Sequence, residues 1–306
     1  MDSSLFPIRL HSVGRRGVVT KDVYEAFNLL LSWIVPSETE TTKAASHRGS
    51  IKSCLELNFG MTNFFRAGSF GHGTSVRGYS DVDYFAVIPT VNLKADSAST
   101  LRRVKEALAA RFPLTEVYVD SPAVAVQFGT EKWERHEITP VDFVKVEHGF
   151  SIYDMPDRYG GWMKSSPLAL NAHTNVCNDR LSKKAKQLVR LIKLWNYYND
   201  AGIRSIYIEM RVVEYLAGES SILYPIDVLH ALRHMQRKEL AAMHDPLGLG
   251  AKLYPCSDAV KPGALSKLNS AVMRAEKAEG ARSEGKMADA FGWWDRVFNG
   301  EFPAYY

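Results

Sequence analysis

The sequence predicts an α+β protein in two parts, a lobe built on a mixed β-sheet followed by a helical lobe. Three observations carry this expectation. Short strand-like runs with one helix among them fill the middle of the first half, helical periods replace strand signals from about residue 180, and a glycine-rich segment leads into an apolar strand near residue 82. A length of 306 residues, 46% apolar and 24% charged, suits two cores better than one. The expected division is 1–165 for the sheet lobe with N-terminal helices and 166–306 for the helical lobe.

Taken in order, Lys21 to Val35 has apolar residues at Val23, Ala26, Phe27, Leu30 and Ile34, a helical period that stops at Pro36. Ser37 to Thr42 reads as a polar linker and Ala44 to Leu57 as a second helix, leading to a strand over Met61 to Phe65. That strand delivers the chain to Gly68. A buried strand follows at Phe85-Ala86-Val87-Ile88, a helix at Ser99 to Arg111, and strands at Ala123 to Phe128 and Ile138 to Val146. Helices are then expected over Leu181 to Tyr198, Ile206 to Ala217, Ile226 to Met243, Leu265 to Glu279 and Met287 to Phe298, several of them separated by Gly or Pro.

The chemistry is concentrated in Gly68-Ser69-Phe70-Gly71-His72-Gly73-Thr74 and the following Asp81-Val82-Asp83. Residues i and i+2 of a strand share a face, so Asp81 and Asp83 present two carboxylates to one spot, a setting for Mg²⁺. Gly68, Gly71 and Gly73 are expected to let backbone N–H groups cradle phosphate oxygens, with Ser69 and Thr74 adding hydroxyls. Two other glycine loops are excluded. Thr74 stands where a P-loop requires lysine, and neither a third glycine nor His-Arg-Asp or Asp-Phe-Gly follows as in a protein kinase. His72 reads as a solvent-facing loop residue, with a phosphate contact as the alternative.

Gly68 to Asp83 resembles the Gly-Ser plus Asp-x-Asp signature of the DNA polymerase β nucleotidyltransferase superfamily. Within it, the segment is most similar to the cGAS/DncV-like nucleotidyltransferases (CD-NTases) and the related oligoadenylate synthases. The resemblance implies a polymerase β-like core joining nucleoside triphosphates into a cyclic di- or trinucleotide or short oligonucleotide second messenger, in bacteria for anti-phage signalling through a product-sensing effector protein. It implies two Mg²⁺ (or Mn²⁺) ions and release of pyrophosphate after a ribose hydroxyl attacks an α-phosphate. A looser likeness covers Leu188 to Asn196 and Trp294 to Pro303, the helical substrate-binding domain of that family. Other readings remain open: a transferase adding a nucleotide to RNA, protein or a small molecule, or a non-catalytic nucleotide sensor.

Two metals call for a third carboxylate. Asp120 adjoins Ser121-Pro122 in an expected turn, Glu137 begins a strand and Glu147 ends one, whereas Asp142 sits between Val141 and Phe143 in an apolar alternation. A carboxylate buried there needs a cation, so Asp142 is the expected third ligand, with a surface aspartate as the alternative. On the helix from Ser182, Lys186, Arg190, Lys193 and Tyr197 share one face, which reads alone as solvated; the resemblance makes Lys186 and Arg190 triphosphate contacts. It also places Ser205 at the nucleotide and Tyr207 where a base could stack, a core tyrosine being equally compatible.

Formal net charge is +4, which suits an anionic ligand and is too mild for a nucleic-acid groove. With no strong basic ridge and no His/Cys insertion, DNA activation is not expected. Cys54, Cys177 and Cys256 are widely spaced and read as buried free thiols. No apolar run approaches a membrane span and Met1 to Arg16 lacks a signal-peptide core, so a cytoplasmic location is expected. The aromatic C-terminus, Phe291 to Tyr306, is expected to pack against the sheet lobe.

Overall fold

The computed structural model describes residues 19–34, 38–79, 81–129 and 134–306. The elements run β1 (Val19–Thr20), α1 (Val23–Ile34), α2 (Glu38–Phe59), β2 (Asn63–Arg66), α3 (Gly68–His72), β3 (Val82–Val87), α4 (Ser97–Arg111), β4 (Glu116–Asp120), β5 (Ala123–Phe128), β6 (Glu134–Glu147), β7 (Phe150–Pro156), β8 (Trp162–Ser165), α5 (Pro167–Arg180), α6 (Ala185–Tyr198), α7 (Ser205–Leu216), α8 (Tyr224–Arg237), α9 (Lys261–Ser283), α10 (Met287–Val297) and β9 (Ala304–Tyr305). Glu38 to Thr42, read from sequence as linker, is helical, and Pro36 and Ser37 lie outside the described residues, as does Met1 to Arg16.

Chain contacts divide the described residues into two units, 38–172 with 244–251, and 19–34 with 173–243 and 252–306. Helix α1 therefore belongs to the helical unit, although the sequence reading had placed the N-terminal helices with the sheet.

The first unit is a mixed sheet of order β2-β3-β6-β5-β4, with β7 and β8 added along β6. β3 and β6 are parallel, while β2, β5 and β4 join antiparallel. Alternation along β3 sends Val82, Tyr84 and Ala86 to one face, where Ile51, Leu55 and Phe59 of α2 and Leu101, Val104 and Leu108 of α4 pack on them with Val124, Val126 and Ile138. Phe85 and Val87 turn to the other face with Val141 and Tyr153. Helix α4 starts where Asp96 accepts from the Ser99 N–H at 2.7 Å, an N-cap that fixes the crossover from β3.

The second unit buries Val23, Ala26, Phe27, Leu30 and Ile34 of α1, the stripe read from the sequence. Phe27 meets Trp294 edge-on at 4.9 Å and Phe302 at 5.0 Å. The aromatic terminus thus packs on α1 inside its own unit, where the sequence had suggested the sheet lobe. β1 and β9 close this cluster by parallel pairing. All three cysteines are buried and free, and among the described residues no helix is long and apolar enough to cross a membrane.

Candidate active site

Asp81 stands at the entry to β3, and Asp83 shares its face with Phe85 and Val87. Parallel pairing with β6 sets Asp83 directly opposite Glu137. Three carboxylates therefore converge at the N-terminal ends of two neighbouring strands. Arg135, two residues before Glu137 and on the same face, lies 3.0 Å from Asp81, 2.6 Å from Glu137 and 2.5 Å from Asp120. Asp120 reaches the cluster from the end of β4.

This cluster holds more negative charge than one guanidinium neutralises. Burial, then Asp83 and Asp81, push the Glu137 carboxyl up to about 8 despite Arg135. Burial likewise raises Asp81 against the pull of Arg135. Burial disfavours the Arg135 charge, but Asp81 and Glu137 outweigh it and hold the guanidinium above its ordinary range. An all-oxygen set of this charge suits a hard divalent cation, and Arg135 places a cation among those oxygens.

The glycine segment is positioned by close packing. Gly68 has φ +53°, and a Cβ there would fall 1.9 Å from Asp83 Oδ2, so only glycine leaves room for that carboxylate. At Gly71 a Cβ would lie 2.7 Å from the Arg66 carbonyl oxygen. The segment is a short helix and not an open cradle: the Gly71 N–H donates to Ala67 O at 3.0 Å and the Thr74 N–H to Ser69 O at 2.9 Å. Those donors are spent within the chain. Thr74 is fully buried, and His72, expected in solvent, is also buried, with Nε2 3.1 Å from the Pro167 carbonyl oxygen. Ser69 stays half-buried near the start of α3.

Asp142 is not with these groups. It lies five residues beyond Glu137 on β6, about 16 Å along the strand, and alternation turns it to the opposite face. It pairs in register with Asp154 and accepts from the Thr90 hydroxyl at 3.0 Å. Of the apolar flank that suggested burial, Val141 is fully buried but faces the other side of the strand, while Phe143 is 48% exposed. Glu137 occupies the place expected of Asp142.

Lys186, Arg190, Ser205 and Tyr207 belong to the helical unit. Lys186 and Arg190 are half-buried, and burial lowers both below the ordinary range of their side chains. Lys193, expected on the same solvated face, is 1% exposed and lies 3.4 Å from the equally buried Glu209. Ser205 opens α7 with its hydroxyl 3.0 Å from that of Tyr197. Tyr207 is fully buried; its hydroxyl donates to Ala241 O at 2.7 Å and accepts from Arg211 Nε at 3.0 Å. It is the core tyrosine of the two alternatives.

Comparison with solved structures gives the fold a precedent. Over 92% of this chain and 98% of the other, the fold matches Vibrio cholerae DncV cyclic AMP-GMP synthase in complex with a linear pppA(3',5')pG intermediate, at TM-score 0.73 and 15% identity. CdnC of E. coli MS115-1, solved in complex with HORMA-deltaN, matches over 92% and 98% at TM-score 0.71 and 16% identity. The Bradyrhizobium diazoefficiens CD-NTase CdnG in complex with GTP matches over 91% and 97% at TM-score 0.67 and 13% identity. Among curated proteins none matches this sequence. The family model of the Second Messenger Oligonucleotide or Dinucleotide Synthetase domain matches residues 22–178, half of the chain, including every carboxylate of the cluster. The chain belongs to that synthetase family.

Proposed function

We propose that this nucleotidyltransferase joins nucleoside triphosphates into a cyclic di- or trinucleotide, or a short oligonucleotide, at a centre formed by Asp81, Asp83 and Glu137. One observation carries the residue assignment: the parallel register of β3 and β6, which sets Asp83 against Glu137. The fold match to a synthase holding a linear dinucleotide intermediate supports the substrate class.

The three carboxylates form the donor set for Mg²⁺ or Mn²⁺, in the two-ion arrangement of phosphoryl-type transfer. When bound, the ions activate an attacking ribose hydroxyl and neutralise charge on the α-phosphate and leaving pyrophosphate. Asp83 is held by its strand and by the empty Cβ position of Gly68. Ser69 is placed to offer a hydroxyl to the triphosphate. Lys186, Arg190 and Ser205 of the helical unit are carried forward as nucleotide contacts, on the resemblance alone. Tyr207 is not carried into this reading, since its ring is buried and its hydroxyl engaged.

We further assign the product to bacterial anti-phage signalling, read by an effector protein. The HORMA complex of the CdnC relative supports a regulatory protein partner for this chain as well.

The test is incubation with the four ribonucleoside triphosphates and Mg²⁺ or Mn²⁺, phosphatase treatment, and mass identification of resistant products. Asp81→Asn, Asp83→Asn and Glu137→Gln are each expected to lose about 10³-fold in rate, several kcal/mol of barrier. Asp142→Asn is expected to stay within about threefold, under 1 kcal/mol. An Asp142→Asn loss as large as that of Glu137→Gln would return the third ligand to Asp142. A single nucleotide attached to RNA or protein would replace the synthase reading.

A further inference from the structure

The start of β6 carries a second cluster, on the face turned away from the carboxylates. Glu134 and His136 alternate with Arg135 and Glu137, so they point toward α2, which brings His47 to meet them. His47 Nδ1 and His136 Nε2 both lie 2.8 Å from the same oxygen, Glu134 Oε1. One donor atom from each of the three side chains lies within 4.8 Å of the other two.

We propose that His47, Glu134 and His136 bind a divalent transition-metal ion of the Zn²⁺ class, clamping α2 to the first residues of β6. Two imidazoles and a carboxylate are ligands that zinc takes readily and that Mg²⁺ and Ca²⁺, which prefer all-oxygen shells, do not. The rings are already oriented. His47 stacks on Phe128 at 3.8 Å and 1°, and His136 stacks near-parallel to Tyr84 at 5.7 Å.

The three donor atoms already converge. His136 is fully buried, with Nε2 turned to Glu134. Both imidazoles also crowd a single carboxylate oxygen. Zinc at about 2.0–2.1 Å from each ligand atom would draw the three to about 3.3 Å apart. His47, whose side chain is 38% exposed, is the ligand with room to move and leaves the fourth position to water.

This site does not depend on the nucleotidyl-transfer reading, because it lies on the other face of the sheet and uses none of the same side chains. Its consequence for the catalytic face is positional. An ion holding Glu134 and His136 fixes the backbone between and beside them, which carries Arg135 and Glu137.

The test uses the untagged full chain, stripped with a chelator and kept in excess Mg²⁺ so that oxygen sites are filled. Zn²⁺ binding is followed by native mass spectrometry and calorimetry, and Co²⁺ substitution by visible absorption. One Zn²⁺ per chain is expected, with a Co²⁺ spectrum of nitrogen–oxygen ligation. His47→Ala, at a half-exposed helix position, and Glu134→Gln are each expected to weaken binding by about 100-fold or more. Asp81→Asn is expected to leave it unchanged. Absence of stoichiometric Zn²⁺ in the parent, equal binding by His47→Ala, or loss of binding in Asp81→Asn overturns the proposal.

Discussion

Replacing Gly68 by alanine tests whether the position of Asp83 is set by the glycine beside it. A Cβ at residue 68 would sit 1.9 Å from Asp83 Oδ2, 2.4 Å from Cγ and 2.9 Å from Asp83 Cβ. Non-bonded carbon and oxygen do not approach closer than about 3.0 Å, so the carboxylate must retreat by about 1 Å or take another rotamer. A displacement of that size at a reacting centre costs about 10²-fold, or about 2.7 kcal/mol of barrier. Backbone strain comes on top: at φ +53° alanine costs about 1–2 kcal/mol of stability, a fall of roughly 2–8 °C in Tm. Gly149, at φ +81° with nothing within 4 Å of a built Cβ, supplies the control. Gly149→Ala carries similar strain without a collision. The assay is initial-rate product formation at saturating triphosphate, with Tm measured on both variants. Gly68→Ala should lose about 10²-fold in rate while Gly149→Ala loses stability alone. Gly68→Ala within threefold of the parent would refute the claim that this glycine fixes Asp83.

The metal-free protein should lose stability as pH rises from about 4.5 to about 8, because folding raises the Glu137 carboxyl to about 8 and the folded state then binds more protons than the unfolded. Chemical denaturation with chelator at several pH values measures that slope, and Glu137→Gln should flatten it. Tyr207→Phe removes a hydroxyl that bonds Ala241 O and Arg211 in the core, an expected loss of about 1–3 kcal/mol by urea denaturation. Its rate at a temperature well below Tm should remain within about threefold of the parent, under 1 kcal/mol; a far larger loss would restore Tyr207 to the nucleotide site. Lys193→Met leaves Glu209 buried without its cation and should cost about 3–5 kcal/mol, part of which Glu209→Leu in the same chain recovers.

Asp81 and Asp83 were legible because their relation lies within one strand, where spacing alone decides which residues share a face. Glu137 was not, since its place beside Asp83 depends on a parallel pairing between strands separated in sequence by α4 and the β4–β5 hairpin. No local pattern encodes that register. A usable signal was present: Glu137 opens the strand read over Ile138 to Val146, and the start of a parallel neighbour lies at the same sheet end as Asp83. Asp142 lies elsewhere because an apolar neighbour implies burial only on its own face: Val141 is buried on the face opposite Asp142, and Phe143 is 48% exposed. The α6 stripe of Leu188, Val189, Ile192 and Trp195 was read correctly, yet Lys193 beside it is buried through its ion pair with Glu209 on α7. A partner on another helix turns an apparent solvent face inward. In the same way, the glycine spacing gave the close approach to Asp83 but not the short helix that consumes the N–H groups of Gly71 and Thr74.

The charged opening of β6 would be costly in a buried strand unless each charge had work on its own face. Glu134 and His136 meet on one side, while Arg135 and Glu137 meet Asp81, Asp83 and Asp120 on the other. Counting the second group as ionised gives four carboxylates against one guanidinium. A proton retained on Glu137, in line with its raised carboxyl, lowers that excess by one. Under the proposed reading, Glu137 gives up that proton and Arg135 gives up Asp81 and Glu137 when a cation takes their place. Asp120, 56% exposed and already 2.5 Å from Arg135, remains as its partner. Arg135 and the Glu137 proton thus hold the carboxylates together in the metal-free protein.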